Sequence, residues 1–140
     1  MKNITTYHLS VAATTENLIK VREFIAQHAN SEGFSSQSVS DLCLATDEAL
    51  TNIIKHAYKN DASKKINIEL EVDDKKICIT LQDKGESFNR DTYKKPDLKD
   101  QIKKKKRGGM GVYLIHKLMD KVQYVSDSAV NEIRLCKNRD

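Results

Sequence analysis

Glu48 and Asn52 are the first residues in this chain whose types and spacing suit chemistry. They lie four positions apart, and His56 follows after four more. In an α-helix this spacing stacks side chains on one side, one turn above the next. A glutamate placed there can orient or deprotonate a nucleophile, and an asparagine offers its carbonyl oxygen to Mg²⁺. The alternative, a polar helix flank that only faces water, stays open at this point.

The turn Asp83-Lys84-Gly85 is a second candidate, because it directly follows an apolar segment with the alternation of a buried strand. A carboxylate at that position can accept a hydrogen bond from an exocyclic amine. Gly85 has no side chain, so a planar ring can approach the backbone closely. Aspartate and glycine are also ordinary turn residues, and a plain β-turn is the alternative.

A third candidate is the glycine-rich segment Gly108-Gly109-Met110-Gly111, which opens an apolar helix beginning near Val112. Free N–H groups at a helix start bind anions, and glycines let a phosphate approach. Arg107, just before these glycines, adds a guanidinium group that can bind a phosphate through two hydrogen bonds. The segment is not a Walker A loop, since no Gly-Lys-Ser/Thr follows. It is not a dinucleotide fingerprint either, because a basic loop precedes it instead of a strand.

Composition and charge narrow the function classes. The length of 140 residues with 39% hydrophobic content predicts one domain with a substantial core. The net charge of +4 comes from the run Lys103 to Arg107, which holds five of the 24 basic residues. The other 19 basic residues are nearly balanced by the 20 acidic ones. A nucleic-acid-binding protein more often spreads its charge over a face. No stretch has the length of a membrane helix, and no signal peptide follows Met1, so we expect a cytoplasmic protein.

The three cysteines are Cys43, Cys78 and Cys136. They are far apart, form no CxxC pair and sit in apolar segments. This pattern predicts small core residues in a protein of a reducing compartment.

The central helix is predicted over residues 41–59, where apolar residues recur at steps of three and four: Leu42, Ala45, Ala49, Ile53 and Ala57. Ser38 and Asp41 in front of it resemble a capping box. A strand over 4–12 and a helix over about 14–30 precede it. A hairpin over 66–72 and 76–81, a helix over 112–119 and strands over 122–125 and 132–135 follow.

Residues 83–107 interrupt this regular pattern with a long polar segment that contains the only proline, Pro96. A segment of this length is usually a functional lid or a disordered insert. The element order is therefore β-α-α-β-β-lid-α-β-β, and it predicts an α+β fold built as a two-layer sandwich.

Three boxes occur in this chain in a fixed order: E-x-x-x-N on a helix, D-x-G after a strand, and G-x-G opening a helix. DEALTNIIKHAY, DKGESF and RGGMGVYLIHKLMDKV are similar to the boxes of the anti-sigma factor serine/threonine kinases (RsbW-like proteins). These proteins belong to the histidine kinase-like (GHKL) ATPase superfamily, which includes gyrase, histidine kinases and MutL. The resemblance covers nearly the whole chain. Two departures are Ser87, where broader relatives have a second glycine, and the basic run in the lid.

The resemblance implies a mixed, mostly antiparallel sheet with helices on one face, in one domain over residues 1–140 with an ATP lid at about 89–107. The implied cofactors are ATP and Mg²⁺. Glu48 is the implied general base and Asn52 the Mg²⁺ ligand, while Asp83 binds the adenine amine above Gly85. The implied phosphate-binding residues are Arg107, Gly108, Gly109, Met110, Gly111 and Val112.

The resemblance also implies partners, since members of the family commonly form homodimers, bind a sigma factor and phosphorylate a serine on an anti-anti-sigma (STAS-type) protein. No direct contact with nucleic acid or membrane is expected. The first alternative is a catalytically silent ATP-binding partner-switch module, against which Glu48 argues. A histidine-kinase fragment would need an upstream helix with a phospho-acceptor histidine, and only a short strand precedes the first helix. Nucleic-acid binding through residues 103–107 has weak support, because no aromatic residues interleave the run.

Overall fold

The computed structural model describes residues 3–85, 108–127 and 129–139, and of residues 108–110 the backbone only. Its strands are β1 (Thr5–Ala12), β2 (Lys65–Val72), β3 (Lys76–Asp83), β4 (Lys121–Ser126) and β5 (Asn131–Asn138). Its helices are α1 (Asn17–Ser31), α2 (Ser36–Asn52), a π-helical turn (Ile53–Ala57) and α3 (Gly108–Leu118). The predicted lid with Pro96 and the basic run lies outside the described residues, and so does Ser87 in front of it.

The five strands form one sheet in the order β1-β2-β3-β5-β4. Every neighbouring pair is antiparallel among the strands that the structure describes. The predicted α+β two-layer fold is confirmed, but the predicted mixed sheet is wrong for this part of the chain. Alternate residues of β2 and β3, such as Ile68 and Ile79, are buried in one core with the helices. The helices therefore cover one face of the sheet, as the period-two pattern of the hairpin predicts.

The predicted apolar stripe of the central helix is confirmed, since all five of its residues are buried. The bounds and the cap differ from the prediction. Helix α2 begins at Ser36, and Ser35 caps it by accepting the Ser38 N–H at 3.1 Å. The predicted capping box of Ser38 and Asp41 is therefore wrong. The cap lies three residues earlier, where an extended residue precedes the first turn.

The predicted single helix over residues 41–59 is also wrong at its end. After Asn52 the backbone widens into the π-helical turn, in which the Tyr58 N–H donates to the Ile53 carbonyl at 2.9 Å. The wider turn changes the angular step between residues. His56 lies in this turn and is exposed.

Two of the three cysteines are linked, which corrects the prediction of three separate core residues. Cys78 and Cys136 lie directly opposite each other in the β3–β5 ladder and form a disulfide. They alternate with the core residues of their strands, so they lie on the sheet face away from the helices. Cys43 is a half-buried thiol. The pairing depends on the register of two strands that are 58 residues apart, which sequence spacing does not reveal.

Among the described residues, no helix combines the length and apolar character that crossing a membrane requires.

Candidate active site

The candidate residues come from four elements that meet at one end of the sheet. Helix α2 supplies Glu48 and Asn52, and strand β3 ends at Asp83. Strand β5 begins at Asn131, directly opposite Asp83 in the antiparallel ladder. Helix α3 packs against α2 and brings its first turn to the same region.

Asp83 is held rigidly at the end of β3. Its side chain is buried, with 3% of the residue exposed. Oδ1 accepts the Gly85 N–H at 2.9 Å and the Asn131 side-chain amide at 3.0 Å. The same amide nitrogen donates to the Gly85 carbonyl at 3.0 Å. Within the part of the chain that the structure describes, all the hydrogen bonds of this carboxylate are accepted by Oδ1. Because they fix the orientation of the carboxylate, they also fix the position of Oδ2.

The electrostatics of Asp83 result from a balance between burial and hydrogen bonding. Burial raises the pKa of the carboxyl above its ordinary value, because it disfavours the charged form. The bonds from Asn131 and Gly85 lower that pKa in part. These two donors therefore favour the ionised carboxylate, which is the hydrogen-bond acceptor that an exocyclic amine requires.

Gly85 is needed by the fold itself. A Cβ on Gly85 would overlap the carbonyl oxygen of Ala57 and lie 2.9 Å from Cδ1 of Tyr58. The Tyr58 hydroxyl donates to the Lys65 carbonyl at 2.9 Å and accepts the Lys84 N–H at 2.7 Å. The Asp83-Lys84-Gly85 turn is therefore fastened to the end of the π-helical turn, and no side chain fits between them.

Glu48 lies against the glycine-rich turn. Both Glu48 and Asn52 are half-buried on α2. A methyl group placed on the Gly111 Cα would lie only 2.7 Å from Glu48 Oε2. The fold thus brings together the carboxylate of the first sequence box and the glycine segment of the third, which are separated by about 60 residues in the sequence.

The glycine segment is the first turn of α3, since the helix begins at Gly108 and not near Val112 as predicted. The first N–H groups of a helix have no partner within the helix and suit an anion. Val112 is buried and anchors this turn in the core. Arg107 lies outside the described residues.

Sequence reasoning missed two residues of this region, Asn131 and Tyr58. Both residues are buried. The Tyr58 hydroxyl and the Asn131 side-chain amide hold the Asp83-Lys84-Gly85 turn in place through hydrogen bonds. The only signal in the sequence for Asn131 is an asparagine that opens the strand NEIRLC. Its partner Asp83 lies 48 residues away.

Comparisons with known proteins show the family of this chain. The family described as "Histidine kinase-like ATPase domain" matches residues 11–137. Serine-protein kinase RsbW of Oceanobacillus iheyensis is 35% identical over 127 residues, which cover 88% of this chain and 80% of that protein. The protein of the same name from Listeria monocytogenes is 31% identical over 129 residues, which cover 89% of this chain and 82% of that protein.

Two solved structures share the fold. The RsbU and RsbW domains of a Mycobacterium tuberculosis protein superpose with a TM-score of 0.68 at 15% identity, covering 97% of this chain and 33% of that one. The SiaB–SiaC complex from Pseudomonas aeruginosa gives a TM-score of 0.70 at 12% identity, covering 93% of this chain and 88% of that one. At these identities the likeness concerns the fold alone.

Proposed function

Because this chain belongs to the histidine kinase-like ATPase domain family, we propose that it is an ATP-dependent serine kinase and anti-sigma factor. It sequesters a sigma factor and phosphorylates a serine on an anti-anti-sigma (STAS-type) protein. The observation that carries the proposal is the similarity to serine-protein kinases over most of the chain, at 35% identity in one case. The contact between Glu48 and the first turn of α3 supports it.

The residues of the site fit ATP. The buried Asp83 carboxylate, oriented by Asn131, provides an acceptor for the adenine amine. The first turn of α3 offers backbone N–H groups to the phosphates, and Gly111 leaves space beside them. Asn52 is placed one helical turn from Glu48 and would hold Mg²⁺, which neutralises phosphate charge when bound. Residues 1–140 act together as one ATPase domain, with residues 89–107 as its lid.

Glu48 serves as the general base in this proposal. Its carboxylate takes the proton of the incoming serine hydroxyl while the serine oxygen bonds to the γ-phosphorus and ADP leaves. Phosphoryl transfer depends mainly on positioning and on neutralising charge. One base, one metal ligand and a phosphate-binding turn supply these requirements without a covalent enzyme intermediate.

The partners follow from the same family relationship. We propose a sigma factor and an anti-anti-sigma protein as alternating partners, a homodimer as the working assembly, and the cytoplasm as the location. Direct nucleic-acid or membrane binding is not part of the proposal. The silent partner-switch module remains the competing function, and it is less favoured because the relatives that match over most of the chain are named kinases.

Phosphate transfer from radiolabelled ATP to an anti-anti-sigma protein tests this function. We expect label on a serine of that protein in the presence of Mg²⁺, and none when its acceptor serine is replaced by alanine. A protein that binds ATP and the partner but transfers no label would instead be the silent switch module.

Asn131→Ala should weaken ATP binding, although Asn131 is not predicted to touch the nucleotide. The substitution removes the amide that orients the Asp83 carboxylate and the Gly85 carbonyl. A carboxylate that is no longer oriented loses its hydrogen bond to the adenine amine, and a lost buried bond of this kind costs about 1–3 kcal/mol, which corresponds to a Kd roughly 5–150-fold higher. Calorimetric titration with ATP measures the effect.

Asn138→Ala is the matched control for this prediction, since Asn138 is an exposed asparagine at the other end of the same strand. It should leave the ATP affinity unchanged. Equal ATP affinity for Asn131→Ala and the wild type would show that Asp83 does not need this support, and would count against its adenine role.

A further inference from the structure

Gly111 lies in contact with the candidate general base. The three atoms nearest to a Cβ built on Gly111 all belong to Glu48: Oε2 at 2.7 Å, Cδ at 3.6 Å and Cβ at 4.0 Å. A real Cβ at position 111 would therefore compete with the carboxylate for the same space.

The backbone at Gly111 does not itself require glycine. Gly111 lies inside helix α3, and the only glycine with positive φ among the described residues is Gly33. Alanine has a higher helix propensity than glycine. The absence of a side chain at position 111 is thus explained by what lies opposite it and not by the conformation of the helix.

The two sides of this contact differ in their freedom to move. On the α3 side, Val112 and Ile115 are buried and hold the helix in the core. On the α2 side, Ala45 and Ala49 are fully buried, but Glu48 is half-buried and ends in a flexible carboxylate. A side chain at position 111 would displace the carboxylate and leave both helices in place. Gly85 differs, because its neighbour is the backbone carbonyl of Ala57.

We propose that Gly111 is a positioning residue for Glu48: it lets the carboxylate of the general base lie against the first turn of α3, beside the phosphate-binding N–H groups. The proposal rests on the proposed kinase function and adds a second role to a residue that the sequence assigns only to phosphate binding. Misplacing a reacting group by about 1 Å can cost roughly 10²-fold in rate, so a single methyl group at this point has a large effect.

The first test is Gly111→Ala. The kcat of phosphate transfer should fall roughly 10²-fold, which exceeds the rise in the KM for ATP that a lost phosphate contact alone would cause, and the Tm should not fall. Lys117→Ala, an exposed position on the same helix, should leave all three values unchanged. A wild-type kcat in Gly111→Ala, or an effect confined to a higher KM for ATP, would overturn the proposal. Phosphate binding would then be the only role left for Gly111.

The second test restores space by shortening the carboxylate. Glu48→Asp removes one methylene and lowers activity by itself. In that background Gly111→Ala should cost only about twofold further, because the shorter side chain no longer meets the methyl group. A further loss of roughly 10²-fold in the double variant would show that the effect does not pass through Glu48.

A third measurement does not depend on kinase activity. In a Glu48→Ala background, Gly111→Ala should raise the Tm by roughly 2–5 °C through helix propensity, and by less when Glu48 is present. An equal gain in both backgrounds would contradict the contact. If the wild type transfers no phosphate at all, the proposed function fails, while the thermal comparison still decides whether Gly111 and Glu48 are coupled.

Discussion

Glu48→Gln is expected to lower the rate of phosphate transfer by about 10²–10⁴-fold, the usual contribution of a positioned general base. Glutamine keeps the size and shape of the side chain beside Gly111, so the packing of α2 against α3 should not change. It cannot accept the proton of the serine hydroxyl. The affinity for ATP and for the partner protein should therefore stay near the wild-type values.

Single-turnover transfer of radiolabelled phosphate, measured beside an ATP titration, separates these effects. Asn52→Ala is the contrasting variant, because loss of the proposed Mg²⁺ ligand should impair nucleotide binding as well as transfer. Transfer by Glu48→Gln at the wild-type rate would place the base elsewhere in the chain.

The largest expected effect on stability comes from the Cys78–Cys136 disulfide. Linking residues with a sequence separation of 58 restricts the unfolded chain and is worth about 4 kcal/mol in the chain-entropy account. The double substitution Cys78→Ser/Cys136→Ser should lower the free energy of unfolding by about this amount. The disulfide joins β3 and β5, the two strands that carry Asp83 and Asn131, so the end of the sheet that holds these two residues should loosen with it.

Urea unfolding of the oxidised wild type, the double variant and a Cys43→Ser control measures this difference. Cys43 is a free thiol, and its replacement should leave most of the stability in place. Adding a dithiol reductant to the wild type should reproduce the double variant. Three titratable thiols in the unreduced, unfolded wild type would show that the bond is absent, and an unchanged free energy of unfolding would contradict its stabilising role.

Several parts of the molecule could be read from local sequence because their causes are local. The buried stripe of α2 follows from apolar residues at steps of three and four, and the hairpin of β2 and β3 from strict alternation. The order of the three boxes was enough to identify the family, which the comparisons confirm. The stripe and the hairpin each lie within about 20 neighbouring residues, where periodicity alone determines which face is buried.

The remaining features depend on contacts between distant segments, and only the tertiary structure decided them. The bond from Asn131 to Asp83 and the Cys78–Cys136 disulfide both depend on how β5 is aligned with β3. The contact of Gly111 with Glu48 depends on how closely α3 packs on α2. The π-helical turn after Asn52 ends where Tyr58 is fastened to Lys65 and Lys84. Residue types determine which groups are available for chemistry, whereas strand register and helix packing determine which of them meet, because both are set by the burial of the whole core.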